Sequence, residues 1–156
     1  MGERLKERLK QRSFSSAYQE AMLGVLVTAD RLSRVMEETC ERHGITAAQY
    51  NVLRILRGVY PGGHPRCEII TRMISAAPDV TRLIDRLEKM GLAERRKSED
   101  DRRLSLTVIT AKGLHVLEAM QPEVEAVNER IAATLSLAEA KKLAELCDKL
   151  VAAATD

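Results

Sequence analysis

Asp79, Thr81, Arg82, Arg86, Arg95, Arg96, Lys97, Arg102 and Arg103 crowd one short stretch of the chain. Arg82, Arg86 and Lys89 recur at helical spacing, so at about 100° per residue they share one face. Arginine is neither a nucleophile nor a redox group at neutral pH. Its planar fork of donors recognises phosphates, carboxylates and the edges of guanine. From Arg82 to Arg103 there are eight Lys/Arg against six Asp/Glu, so placement matters more than the sum. The segment Lys97-Ser98-Glu99-Asp100-Asp101-Arg102-Arg103 contains no apolar residue and belongs in solvent or on a partner.

Other chemistries are poorly represented. No Ser/His/Asp spacing, P-loop, GxGxxG or HExxH pattern occurs. Asp100 and Asp101 are paired carboxylates, but two arginines beside them in a polar tip argue against acid/base work. The chain is therefore not expected to be an enzyme or to need a cofactor. His43, His64 and His115 stand alone in sequence. The three cysteines, Cys40, Cys67 and Cys147, form no CxxC and are odd in number, so neither a disulfide framework nor structural zinc is expected.

The elements that must position the arginines are legible from pattern. Val80, Leu83, Ile84 and Leu87 form one apolar helical stripe opposite the cations. Pro78 suits a first helical position, and Gly91 suits a helix stop. Leu92 to Arg96 and Leu104 to Ile109 read as two strands, the second alternating with period two. Arg66 to Ile74, with Ile69, Ile70, Met73 and Ile74 apolar, reads as a short helix. Ser75-Ala76-Ala77 is then only a turn, so it and the Val80 helix form a helix-turn-helix. Upstream, Ser13 to Arg42 reads as a long helix ended at Gly44. Thr46 with Gln49 is a capping box for the next helix, and Pro61 to Pro65 is a loop. Downstream, Thr110 caps a long helix that Pro122 should interrupt and kink, and Ser136 with Glu139 opens the last. Residues 1–12, with five Lys/Arg and two Glu, read as a surface helix or basic arm.

Composition sets outer bounds. The chain has 156 residues, 45% apolar and 31% charged, which suits one globular domain. Three Tyr, one Phe and no Trp leave little for base-stacking platforms. Net charge is +2, with four Lys/Arg against eight Asp/Glu in residues 114–156, so basic character lies upstream. No apolar run is long enough for a membrane span, and the N-terminus lacks a signal-peptide core. A cytoplasmic protein is expected.

The order Val80-Thr-Arg-Leu-Ile-Asp-Arg-Leu-Glu-Lys-Met-Gly-Leu-Ala-Glu-Arg-Arg96, then Asp100-Asp101-Arg102-Arg103, then Leu106-Thr-Val-Ile-Thr-Ala-Lys-Gly113 resembles the recognition helix and wing of the MarR family. The Arg66 to Ile74 helix is more apolar than that pattern. The resemblance implies a mainly α, winged helix–turn–helix fold with six helices and a short β-hairpin wing. It implies a single domain over 1–156, with a DNA-binding core at 45–110 and dimerisation helices at 13–44 and 111–154. The apolar stripes at both chain ends exceed what a three-helix core can cover, which also argues for pairing of two copies. The expected function is a homodimeric, sequence-specific transcriptional repressor of double-stranded DNA with a pseudo-palindromic operator, released by a small ligand or by oxidation. Asp79, Thr81, Arg82 and Arg86 would face base edges or phosphates, Arg95, Arg96 and Lys97 the backbone, and Arg102 and Arg103 would lie at the wing tip. Arg103 would read the minor groove while Asp101 steadies the tip. Small aromatic or phenolic acids are the implied effectors, with Tyr18, Met22, Tyr50, Arg57 and Tyr60 as candidate lining. Cys67, near a helix start, is the redox candidate; Cys40, at a helix end, is disfavoured as a thiolate. Cys40, Glu41, His43 and His115 are placed loosely like a zinc site of some relatives, but no second His lies one turn from His115, so no metal is expected. The alternative is a protein–protein adaptor without DNA binding, which a weak salt dependence of duplex binding would reveal.

Overall fold

Capping residues set most helix starts. A computed structural model describes residues 2–75, 79–98, 101 and 103–153 of the chain. The elements are α1 (Glu3–Leu9), α2 (Ala17–Arg42), α3 (Ala47–Arg57), β1 (His64–Pro65), α4 (Arg66–Arg72), α5 (Val80–Lys89), β2 (Ala93–Lys97), β3 (Ser105–Ile109), α6 (Ala111–Ala132) and α7 (Leu137–Ala153). Ser16 Oγ accepts from Gln19 N at 3.1 Å, so α2 starts at Ala17 rather than at Ser13. Thr46 and Gln49 make the expected reciprocal box at the start of α3. Ser136 and Glu139 do the same before α7, at 2.9 Å and 3.3 Å. Thr110 caps α6 by accepting from Gly113 N at 3.1 Å. Gly44 and Gly91 take positive φ after α2 and α5, where a side chain would be strained.

Several expectations change. Seven helices are present among the described residues, not six, because residues 3–9 form a helix of their own. α6 runs as one helix through Pro122, so the expected interruption is absent. α4 stops at Arg72, and Met73 is already extended, so Ile74 lies outside it. The wing is more than a hairpin. β1 pairs antiparallel with β3, His64 opposite Thr107, giving the sheet order β1-β3-β2. A strand inside the Pro61 to Pro65 loop was not expected. The alternation read in β3 fails: Thr107, Val108 and Ile109 are all buried in succession, whereas Leu104, just before the strand, is exposed. Gly63 is needed there, since a Cβ would stand 2.5 Å from Thr107 O. Pro78, Ala76 and Ala77 lie outside the described residues.

One apolar core joins the recognition region to the long helices. Val52, Leu53 and Leu56 of α3, Ile69 of α4, Val80, Ile84 and Leu87 of α5, Ile109 of β3, and Leu117 and Met120 of α6 are buried together. Ile70 and Ile74 are exposed, so the apolar run in 66–74 supplies only Ile69 fully to this core. α7 buries no residue, and Leu137, Leu143, Leu146 and Leu150 are exposed along it. Met22, Val25, Leu26 and Leu32 are exposed along α2.

Candidate nucleic-acid interface

The apolar stripe of α5 dictates which way its cations point. With Val80, Ile84 and Leu87 inward, Arg82, Arg86 and Lys89 are exposed. Asp79 is the N-cap: its Oδ1 accepts from Arg82 N at 3.0 Å, and its Oδ2 lies 2.9 Å from Arg82 Nε. Asp79 therefore starts the helix and steers the guanidinium beside it. Thr81, half-buried, accepts from Arg66 Nη1 at 2.9 Å. Arg66 is exposed at the start of α4, so the two helices of the helix-turn-helix share a polar edge. Arg86 makes no ion pair with any described residue, which leaves its fork of donors open to a ligand.

The wing stands beside that helix and is locked to it. Arg95 on β2 reaches Asp85 Oδ1 at 2.6 Å and Glu88 Oε2 at 2.8 Å, both on α5. Its side chain stays 43% exposed beside these two carboxylates. Arg96 pairs with Glu94 on the same strand, and Lys97 is exposed without an ion pair to a described residue. Ser98 N donates to Leu104 O at 3.0 Å, closing the tip. Asp101 Oδ1 accepts from Arg103 N at 2.9 Å, and Leu104 N donates to Asp101 O at 2.9 Å. Arg103 is exposed. Arg102 and Asp100 lie outside the described residues.

The far end of α5 is tied to α6. Thr110 Oγ1 donates to Gly91 O at 2.7 Å, and Lys112 Nζ to Met90 O at 2.8 Å. A cation on the last carbonyls also suits the helix dipole. Gly113 lets α6 approach closely, since a Cβ would lie 2.3 Å from Leu92 O.

The effector residues named from sequence lie on α2, on α3 and in the turn after α3. Tyr18 is 88% exposed at the start of α2, Met22 lies one turn on, and Tyr60 follows α3 in solvent. Arg57 is exposed, whereas Tyr50 packs on the core with Arg54 over its ring at 5.9 Å. Burial pushes the Tyr50 hydroxyl's pKa up, against the opposing pull of Arg54 and Arg57. None of the five lines any of three surface cavities that the fold forms. Cys67 is exposed at the start of α4. Cys40 is fully buried, and its thiol is pushed up to about 11, by burial first and by Glu37 second. His43 Nε2 stands 2.7 Å from Glu123 Oε1, and Arg42 pairs with the same carboxylate. His115 is exposed, 4.0 Å from Glu118. Among the described residues no three His, Cys, Asp or Glu side chains are grouped to hold a metal ion.

The sequence pattern singled out neither Arg66 nor the pairing of Arg95 with α5. A cation at the first position of the helix preceding the cationic one was a usable signal for Arg66. For Arg95 the signal was the pair Asp85 and Glu88, three apart and hence on one face.

The MarR family sequence model matches residues 45–105. A MarR transcription factor from Planctomyces limnophilus has a crystal structure 37% identical in sequence, covering 87% of this chain and 98% of its own, with a TM-score of 0.65. The HTH-type transcriptional regulator MhqR of Bacillus subtilis is 27% identical over 115 residues, 74% of this chain and 78% of its own. The fold also matches the MepR–DNA complex of S. aureus, with a TM-score of 0.74 at 20% identity over 90% of this chain and 99% of that one.

Proposed function

The chain belongs to the MarR family, and from that membership we propose that it is a homodimeric, sequence-specific DNA-binding regulator that represses transcription. The observation that carries the reading is the exposed cationic face of α5, with Arg82 and Arg86 on it and the Arg103 tip alongside. A helix of that kind fits the major groove, and arginine reads guanine there by a bidentate pair. An arginine on a projecting tip fits a narrow minor groove. Arg66, Lys97 and Lys89 lie around these as phosphate contacts, which position a protein without reading sequence. Arg95 is here a positioning residue that holds the wing against α5 through Asp85 and Glu88.

Dimerisation is supported by what α2 and α7 leave uncovered. Leucines at 143, 146 and 150 recur on one face of α7 and are about half exposed. A second copy would remove that area from water at roughly 25 cal/mol per Å². Residues 13–44 and 111–154 would then form the joint, and 45–110 the DNA-binding core. Two copies would set two α5 helices at successive major grooves of a pseudo-palindrome. A small effector would act by changing their spacing, because both half-sites must be met at once.

Selection of bound sites from random duplexes tests the reading. Enriched sites should show two related half-sites about 10 base pairs apart, centre to centre. Failure to enrich any sequence would remove sequence-specific DNA binding from the account.

A further inference from the structure

A polar contact joins the two helices of the helix-turn-helix. Arg66 is the first residue of α4, and its Nη1 donates to Thr81 Oγ1 at 2.9 Å. Thr81 is the second residue of α5, half-buried on the flank between buried Val80 and exposed Arg82. Both partners are held from behind. Arg66 follows directly on β1, whose Pro65 lies opposite Leu106 of β3, so the sheet decides where α4 begins. Asp79 caps α5 through Arg82 N at 3.0 Å and so fixes the turn that carries Thr81. A threonine hydroxyl has one proton to give and two lone pairs with which to accept. Arg66 occupies one lone pair with a charged donor, which strengthens the hydroxyl as a donor in turn. Threonines within a helix often spend their proton on the carbonyl one turn back. At the second position of α5 no carbonyl of that helix lies behind Thr81, and no described residue takes its proton.

We propose that Arg66 is a positioning residue that turns Thr81 into a hydrogen-bond donor toward a base edge in the major groove. Each half-site should then carry a keto base, guanine or thymine, at the position Thr81 faces. The inference rests on the function proposed above and deepens it, since Arg66 there serves only as a phosphate contact. The major-groove edge makes the choice sharp. Guanine O6 and thymine O4 accept, whereas adenine N6 and cytosine N4 donate. A hydroxyl free to turn satisfies either kind, which makes threonine by itself a weak discriminator. With one lone pair taken and a guanidinium beside it, the Thr81 hydroxyl suits an acceptor and meets an amino group donor against donor. Arg66 has no ion pair with a described residue, so its remaining donors stay open to a phosphate at the same time. A backbone contact, which carries no sequence information by itself, thereby sets the polarity of a base contact.

The readout is a ratio of affinities between duplexes. In a selected site, each base pair of the two half-sites is exchanged in turn between a keto and an amino base. Binding of the full chain is followed by fluorescence anisotropy at fixed salt. Thr81→Val should abolish a keto preference of about three- to tenfold at one position per half-site, the worth of one hydrogen bond. Preferences elsewhere should stand. Arg66→Met should flatten the same position, and Arg66→Lys, which returns a charged donor, should restore part of it. In the Thr81→Val background, Arg66→Met should lower all affinities by one common factor, the loss of the phosphate contact. Thermal unfolding of each variant checks the fold, and it should hold because Arg66 is exposed and valine matches threonine in shape. Discrimination untouched by Thr81→Val would overturn the inference. So would a preference for adenine or cytosine at that position, or a uniform loss from Arg66→Met in the otherwise unaltered chain. Each of these leaves sequence-specific binding standing, whereas a chain that discriminates between no duplexes would remove the proposed function and this inference with it.

Discussion

At the scale of single residues, the interface divides its arginines into two groups. Arg95, Arg96 and Arg82 each face a carboxylate of their own chain, whereas Arg86 and Arg103 face none among the described residues. The second group can give its donors to DNA without first breaking an internal pair. Arg103→Ala should weaken binding to a selected site by about 1–3 kcal/mol, if it makes a good base-edge contact, read by fluorescence anisotropy. Unchanged affinity would take the wing tip out of recognition. Glu123 illustrates a different residue-scale effect. Hydrogen bonds from Arg42 and His43 hold its carboxyl below the usual range. A depressed carboxylate pKa stabilises the fold above about pH 4.5, and the contribution is lost as pH falls through the lower, folded value. Wild type should therefore be more resistant to urea than Glu123→Gln at pH 7, with the gap closing towards pH 3. A constant gap would show that the pairing at the α2–α6 joint does not depend on the charge.

At the scale of elements, signals carried by neighbours in sequence were legible and those carried by distant partners were not. Thr46 and Gln49 are three apart, so the start of α3 could be read directly, as could the Val80 to Leu87 stripe. β1 could not, because two residues in a Pro/Gly loop become a strand only when Thr107 lies opposite. The same holds for Asn51 with Ile74, a pairing set by packing. The joint between β2 and α6 is another such place. Gly113 is buried where the start of α6 crosses Leu92. Gly113→Ala should cost about 1–3 kcal/mol of stability by overpacking a backbone carbonyl, measured by chemical denaturation. A stabilised variant, as helix propensity alone would predict, would mean the crossing is looser than it stands here.

At the scale of the whole molecule, the core explains how one chain can present a rigid reading head on a larger frame. Met120 and Leu117 of α6 share a core with Leu87 and Ile84 of α5, so the long helix and the cationic helix belong to one packed unit. Thr110 and Lys112 add polar ties at the same joint. α7 buries no residue, and its exposed leucines belong to the apolar stripes from which pairing of two copies was expected. Leu146→Glu with Leu150→Glu should yield a monomer of unchanged helical content by light scattering and circular dichroism. Retention of a dimer would place the joint elsewhere.

We propose that two chains jointly hold one duplex through their cationic helices. The most direct measurement is titration of a labelled duplex bearing a selected site across a salt series, with the mass of the complex read by sedimentation. The account predicts two chains per duplex and a log affinity that falls linearly with log salt, by about 0.9 per phosphate neutralised. One chain per duplex, or an affinity indifferent to salt, would contradict it.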